Sequence, residues 1–374
     1  MASSRMRVLL LFGGRSAEHD VSRVSAVSIA KALDPDRYEV IPVGITTDGE
    51  WLLAGKALAT LASGDGQFPG EFEAAGTPVS LVANGTEPSL RFDDGRAHLR
   101  IDVAFPILHG PFGEDGTIQG LLEVAGLPYV GAGVLASALT MDKIAMKRAL
   151  AACGLPQVAY REFRDGGDRD AFCERVKAEL GLPCFVKPAN MGSSVGVSKA
   201  HDKAQLAAAI EFALEYDEWV LVEEFVEARE IEISIIGDDP AVASIAGELI
   251  SAAEFYRYED KYCDGQTVTK IPAELSESEL EQVRELAIAA FHACRGEALA
   301  RVDFFYEVTG PCRGWLVNEL NSMPGFTPFS LYPKLWEASG LSYPELVDRL
   351  VGLAVERHRR RNLRSGTQRP DRPR

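Results

Sequence analysis

The chain has 374 residues, 46% of them hydrophobic and 25% charged, which is the make-up of soluble globular material and enough for two or three domains. No apolar run reaches the ~20 residues of a membrane span, and Val8–Phe12 ends at Gly13-Gly14, too short for a secretory signal, so a cytoplasmic protein with no membrane contact is expected. The formal net charge is −16 and Arg357–Arg374 carries eight Arg and one Asp, which leaves −23 on the rest, a body that repels nucleic acid.

Six cysteines are scattered without a C-x-x-C pair, which speaks against zinc and against a disulfide framework, and no H-x-x-x-H occurs. Along the chain, residues 7–12 predict a strand running into Gly13-Gly14-Arg15-Ser16-Ala17-Glu18, then a helix from about Val21 to Leu33 and a strand over Tyr38–Ile45. This order predicts an open parallel sheet with a glycine turn at a strand's carboxyl end, where ligands bind. Residues 50–100 are polar and turn-rich, an irregular insertion or hairpin. A strand over Val103–Leu108 reaches His109-Gly110; Thr117–Ala125 predicts a helix, Tyr129-Val130 a short strand, and Ser137–Ala152 one helix stopped by Gly154-Leu155-Pro156. Strands at 183–188 and 219–225, with two helices, predict a small antiparallel sheet. A strand over Glu230–Ile236 opens the last unit, with a polar, aromatic-rich loop at 254–272 and a helix over Glu277–Cys294. The expected architecture is α/β (α+β): an open parallel unit over 1–142, a central antiparallel unit over 143–230, a third α+β unit over 231–356, and a disordered basic tail over 357–374.

Two runs carry the strongest chemical signal: Arg301-Val302-Asp303-Phe304 and Asn318-Glu319-Leu320-Asn321-Ser322-Met323-Pro324-Gly325. Side chains two apart on a strand share a face. If the faces bearing Arg301 and Asp303 and bearing Glu319 and Asn321 meet, two carboxylates and an amide oxygen surround one space. That donor set suits Mg²⁺, with an arginine beside it to hold an anion. Two solvated strand faces explain the runs equally well on their own. Lys187, at a strand end, precedes Gly192-Ser193-Ser194-Val195-Gly196, whose N–H groups and hydroxyls can wrap phosphate. A plain hairpin turn is the alternative, and no P-loop occurs. Glu223 and Glu230 flank a strand junction and can accept from an adenine amine or ribose hydroxyls, although each taken singly reads as a surface carboxylate. Glu18 either complements a helix N-terminus or holds a ligand's ammonium. His109 is a loop histidine or lines the same cleft. Tyr256, Lys261 and Tyr262 belong to a lid or to a loop stapled down by tyrosines.

Taken together and in order, Gly14-Arg15-Ser16-Ala17-Glu18, His109-Gly110 with Gly113-Glu114-Asp115-Gly116, Met141-Asp142-Lys143, Lys187-Pro188 with Gly192–Gly196, Tyr258-Glu259-Asp260-Lys261-Tyr262 and Asn318–Asn321 with Pro324-Gly325 resemble the D-alanine–D-alanine ligases of the ATP-grasp superfamily. The resemblance spans residue 7 to about residue 350. It implies ATP clamped between the central and last units and two Mg²⁺ (or Mn²⁺) on Asp303, Glu319 and Asn321. Lys143 and Lys187 would meet phosphates, with Ser193, Ser194, Phe255 and Lys261 also at the nucleotide, Glu223 and Val226 near adenine and Glu230 on the ribose. Glu18 would orient the first D-alanine's ammonium, with His109 and Tyr256 at the same substrate site. Arg301 and the Gly325 N–H would stabilise the oxyanion. Ser330 and Leu331 would border the second D-alanine, with Lys261 near its carboxylate, and Ser193 and Tyr262 would hydrogen-bond Glu18 and tie the lid shut. The resemblance also implies a homodimer serving peptidoglycan precursor synthesis.

Two departures stand out: Glu224-Phe225 sits where many members have Lys-Trp, and Pro111-Phe112 follows His109-Gly110. The resemblance also implies, through Tyr262, an amine as the second substrate, since relatives that make depsipeptides replace that tyrosine. Another ATP-grasp carboxylate–amine ligase would share the nucleotide parts and differ at Glu18, His109, Tyr262, Ser330 and Leu331. A non-catalytic ATP-binding regulator would need neither Arg301 nor an amino-acid pocket, and a Rossmann dehydrogenase lacks its fingerprint, since Gly131-Ala132-Gly133 has no third glycine.

Overall fold

The computed structural model describes residues 5–54, 76–83, 87–250 and 268–364. Strand β1 (Met6–Gly13) is apolar along its length because it is covered on both sides: Val8, Leu10 and Phe12 enter one core and Leu9 and Leu11 another. It pairs in parallel with β2 (Tyr38–Ile45) and β7 (Val103–Pro106), with α1 (His19–Ala32) as the crossover to β2. The sheet then departs from the expected all-parallel form. Strands β3 (Trp51–Leu53), β4 (Thr77–Val82), β5 (Ser89–Phe92) and β6 (Leu99–Arg100) add antiparallel hairpins to the β2 edge, in the order β6-β5-β4-β3-β2-β1-β7. The described part of the polar 50–100 stretch is therefore a sheet extension, anchored by Leu90 and Phe92. Helix α2 (Thr117–Ala125) covers the Leu9 face with Ile118 and Leu122.

The single helix expected over Ser137–Ala152 is two helices, α3 (Val134–Met141) and α4 (Lys143–Ala152). Asp142 between them is extended (φ −81°, ψ 103°) and its carboxylate accepts from the Ala145 N–H at 2.9 Å. An N-cap aspartate satisfies a helix's otherwise orphaned donors, so the break starts α4 at Lys143.

The central sheet is antiparallel, in the order β10-β9-β11-β8, from β8 (Tyr160–Arg164), β9 (Cys184–Pro188), β10 (Ser198–Ala200) and β11 (Trp219–Glu224). Helices α5 (Arg169–Glu179) and α6 (Lys203–Leu214) bury Phe172, Val176, Leu206 and Ile210 against Val186, Val220 and Val222. The third sheet, β14-β13-β12-β15-β16, comprises β12 (Arg229–Ile236), β13 (Val242–Ile250), β14 (Val268–Lys270), β15 (Leu299–Glu307) and β16 (Gly314–Asn321). Ile231, Ile233, Ala300, Val302 and Phe304 face α7 (Glu277–Ala293), and the same core takes in Met146 and Leu150 of α4. Helix α4 also covers the sheet's edge: the Leu320 N–H reaches Met146 Sδ at 3.3 Å, and just beyond the helix Pro156 accepts from the Val317 N–H at 2.8 Å. Those outward donors of an edge strand would otherwise go unpaired.

Helices α8 (Leu331–Ala338) and α9 (Tyr343–Asn362) return to the first sheet, where Leu346, Leu350 and Val351 pack with Val8, Leu10 and Phe105. Here the basic tail expected from Arg357 onward needs correction, because α9 continues to Asn362. Its buried stripe at Val347, Leu350, Val351 and Ala354 extends to Arg357 at helical spacing. Arg357 is 2% exposed and donates to the backbone carbonyls of Gly131 (2.6 Å) and Tyr129 (2.8 Å), with its guanidinium stacked over the Tyr129 ring. Residues 365–374 lie outside the described residues. Replacing Arg357 with Met strands two buried carbonyls, so urea titration of R357M should show a loss of about 2–4 kcal/mol; a change under about 0.5 kcal/mol, the surface norm, would return Arg357 to a solvated tail.

Candidate active site

Strands β15 and β16 are antiparallel, with Arg301 opposite Asn321 and Asp303 opposite Glu319. Alternation along β15 sends Ala300, Val302 and Phe304 into the core, so Arg301 and Asp303 face the other way. On β16, Val317 and Leu320 are both in the core, three residues apart, which a regular strand does not allow. The register shifts between Asp303 and Phe304, where Glu319 and Val317 are their respective partners and Asn318 is the extra residue. This β-bulge re-aims the strand. It brings Glu319 and Asn321 onto the face of Arg301 and Asp303, where the expected quartet comes together.

Cross-strand neighbours complete the face. Glu232 of β12 lies opposite Asp303. Arg301 is held between the two, with Nε 2.8 Å from Glu232 Oε2 and a two-pronged contact of 2.7 Å and 2.7 Å to the Asp303 oxygens. Burial opposes its charge, but Asp303 and then Glu232 hold it protonated well above its usual range. Asn321 Nδ2 donates to Asp303 Oδ2 at 3.0 Å. Glu232 was missed in the sequence, although alternation from Glu230 points to it. Among the described residues no three His, Cys, Asp or Glu side chains form a ready metal cluster; the set here is two carboxylates and an amide. Its chemistry fits a hard cation. A carboxylate offers about four lone-pair sites, and the contacts from Arg301 and Asn321 to Asp303 fill three of them.

The lysines arrive from α4 and β9. Lys143 is the first residue of α4, and its ammonium donates to the Met191 carbonyl in the glycine-serine turn. Burial lowers its pKa, while Glu319 acts in the opposite direction. Lys187 Nζ lies 2.5 Å from Glu223 Oε2. Burial opposes its charge too, but Glu223 overrides this and the net shift is upward, with Glu319 adding to it. Glu319 is thus close enough to act on both ammoniums. Glu223 is not a surface carboxylate: its side chain is 3% exposed and its other oxygen lies 2.6 Å from Lys147 Nζ. Burial would raise its pKa, but the two ammoniums, Lys147 first, bring it down to about 2. Val226 is partly buried just past β11 and Glu230 is exposed on β12, within electrostatic reach of Lys187. The departure at Glu224 has a structural use, since its carboxylate takes the Ala159 N–H (2.7 Å) and Arg313 (2.6 Å), which also pairs with Glu307 of β15. Phe225 lies under Lys199, 4.1 Å from its ammonium, and 6.2 Å from the Phe185 ring.

A second group of side chains adjoins the first. Glu18 caps α1 without a side-chain cap bond, and its carboxylate instead receives the Ser193 hydroxyl. Two glycines make room for it: a Cβ at Gly192 or Gly110 would lie 2.7 Å or 2.9 Å from Glu18 Oε2. Ser193 (φ 47°) and Ser194 (φ 59°) are consecutive left-handed residues, a strained turn of the kind that clusters at functional sites. His109 is 4% exposed with Nδ1 3.2 Å from the Met323 carbonyl. Burial lowers its pKa, with Glu18 acting in the opposite direction. Glu114, quoted in a motif but given no role there, accepts the Gly110 N–H at 2.7 Å. Burial and then the neighbouring Glu18 push its carboxyl up to about 8. Gly325 is pressed against Ser330, whose hydroxyl binds the Thr327 N–H at 3.0 Å; Leu331 is 7% exposed at the start of α8. Phe255, Tyr256, Lys261 and Tyr262 lie outside the described residues.

Two family models match, D-ala D-ala ligase N-terminus over residues 7–132 and D-ala D-ala ligase C-terminus over residues 149–352. A D-alanine–D-alanine ligase of Geobacillus thermodenitrificans is 46% identical over 364 residues, covering 96% of this chain and 98% of its own. One from Acetivibrio thermocellus is 46% identical over 370 residues, covering 95% and 97%. Among solved structures, the D-alanine–D-alanine ligase of Coxiella burnetii superposes with a TM-score of 0.84 at 32% identity, covering 96% of this chain and 97% of that one. A D-Ala:D-Ser ligase of Enterococcus faecalis superposes at 0.81 and 31% identity, covering 94% and 100%.

The raised Glu114 pKa has a sign that can be checked. Between the unfolded carboxyl's ~4.3 and about 8, the folded protein holds a proton the unfolded chain has lost. Its contribution is fully present below the unfolded pKa and lost as pH rises through the folded one. Relative to Glu114→Gln, which mimics the protonated acid, the unsubstituted protein should lose on the order of 1–3 kcal/mol between pH 5 and pH 8 in urea titrations. An equal gap at both pH values would mean the carboxyl titrates normally.

Proposed function

The chain belongs to the D-alanine–D-alanine ligase family, and on that premise we propose that it joins two D-alanine molecules to D-alanyl-D-alanine, with ATP converted to ADP and phosphate, as a step in supplying the cell wall. The observation that carries the reading is the single face shared by Arg301, Asp303, Glu319 and Asn321, with the Lys143 and Lys187 ammoniums within the field of Glu319. The nucleotide would lie between the central and third sheets. Lys143, Lys187 and the Ser193-Ser194 turn face its phosphates, Glu223 and Val226 the adenine and Glu230 the ribose. The proposed form is a cytoplasmic homodimer.

A carboxylate is a poor electrophile, and an ammonium has no lone pair. The first D-alanine, its ammonium held at Glu18, uses a carboxylate oxygen to take the γ-phosphoryl group, and ADP leaves. The second D-alanine gives up a proton, its amine attacks the acyl carbon, and phosphate departs. Glu18 is held for this by Ser193 and by the bare backbones of Gly110 and Gly192. Lys187 and Arg301 offset charge that builds on the transferred group and on the acyl oxygen, and the Gly325 N–H adds a donor. Asp303, Glu319 and Asn321 would hold two Mg²⁺ (or Mn²⁺), which when bound supply charge neutralisation at the phosphate oxygens. Water must be kept from the acylphosphate, the role assigned to the segment ahead of β14 that carries Tyr256, Lys261 and Tyr262.

Mass spectrometry after incubation with ATP, Mg²⁺ and D-alanine should find the dipeptide, and Asp303→Asn should lower kcat/KM by about 100-fold or more. Dipeptide formation by D303N at the unsubstituted rate would remove Asp303 from the site. The Enterococcus neighbour, a D-Ala:D-Ser ligase, superposes almost as well as the Coxiella enzyme, so the fold leaves the acceptor to local residues. Tyr262 favours D-alanine. Tyr262→Phe should raise D-lactate use relative to D-alanine in competition assays, and an unchanged ratio across several pH values counts against that role.

A further inference from the structure

Lys147 has no part in the steps above, yet it is among the most deeply buried side chains of the described residues. Its side chain is 1% exposed, on α4 one turn after Lys143. Its ammonium lies 2.6 Å from Glu223 Oε1 and 5.6 Å from the centre of the Tyr160 ring. Lys187 lies 2.5 Å from the other Glu223 oxygen and is more open, at 16%. One carboxylate thus stands between two ammoniums of different character. Lys187 is open enough to meet a ligand. Lys147 is sealed in and reaches a ligand only through Glu223.

Burying a lysine is costly unless its charge is compensated, and the arrangement keeps Glu223 ionised. An ionised carboxylate accepts hydrogen bonds and donates none. When phosphate draws Lys187 away, Lys147 still holds Oε1, and Oε2 is left as an acceptor of fixed position and charge. A purine with an exocyclic amine at that point satisfies it; a purine with a carbonyl there sets two acceptors against each other. We propose that Lys147 is a positioning residue for nucleotide selection: by holding Glu223 ionised and in place, it makes the site accept ATP and reject GTP. The helix that carries it suits this role, because Met146 beside it contacts β16 next to Asn321. The base-reading carboxylate is thereby referenced to the strand bearing Glu319 and Asn321. The inference rests on the reading of this site as an ATP site.

The test measures kcat and KM for ATP and for GTP, with saturating D-alanine, in the unsubstituted enzyme, Lys147→Met, Glu223→Gln and the double variant. K147M should raise the KM for ATP by about tenfold and cut the ATP-over-GTP preference in kcat/KM by at least about tenfold, the scale on which an unpaired buried polar group is felt. The KM for D-alanine, measured separately at saturating ATP, should stay unchanged, which a general loss of structure would not permit. On the E223Q background, adding K147M should change neither the KM for ATP nor the preference further. K147M with an unaltered preference, or an equal effect of K147M with and without the carboxylate, overturns the proposal. If K147M does not fold, E223Q and the double variant decide: both should have lost the preference, and its survival in either overturns the proposal. An unsubstituted enzyme that binds no ATP overturns instead the nucleotide reading on which this rests.

Discussion

One extra residue in β16 is the constraint on which the site depends. With Val317 in the core, an uninterrupted strand would point Glu319 and Asn321 into the core as well. The bulge at Asn318 resets the alternation, so that Leu320 fills the core while its two polar neighbours face Arg301 and Asp303. Apolar side chains of β12, β15 and β16 pack against α7 on one side, and the ionisable ones gather on the other. The same strands that make the hydrophobic core therefore fix the spacing of the charges.

That gathering is costly unless the charges compensate one another, and they do so in two linked sets. Arg301 sits between Glu232 and Asp303, and Glu223 sits between Lys147 and Lys187. The first set is rich in negative charge and the second in positive charge. Removing one member of such a set exposes a buried charge and costs far more than a surface pair. The result is a charged lining whose groups already hold one another in place, a form of preorganisation.

Helix α4 joins the two sets. It begins at the Asp142 break with Lys143 toward the serine turn, sends Lys147 to β11, and lays Met146 on the edge of β16. Arg313 adds a second tie, between Glu224 on the central sheet and Glu307 on the third. At the opposite end, Ser193 reaches Glu18 across from the first sheet. The Lys147, Arg313 and Ser193 ties cross between sheets through charged or hydroxyl groups, while the first and third sheets also share an apolar core in which Ile236 and Leu299 join Val8, Leu10 and Phe105.

Much of this was legible in the residues. Apolar runs marked β1, β2 and β7, and period-two spacing put Arg301 with Asp303 and Glu319 with Asn321, because local alternation is a property of the backbone itself. The ordered motifs named the family. What sequence could not carry was anything set by a partner distant along the chain. Helicity of the basic stretch to Asn362 depends on carbonyls at Gly131 and Tyr129. The sheet-extending hairpins depend on an open β2 edge, and the bulge depends on which of Val317 and Leu320 the core admits. Lys147 looks like any helical lysine until β11 brings Glu223 to it. Residue type determined which chemistry was possible; tertiary packing alone decided which charges meet, because burial and partner distance, not identity, set the energy of an ionised group.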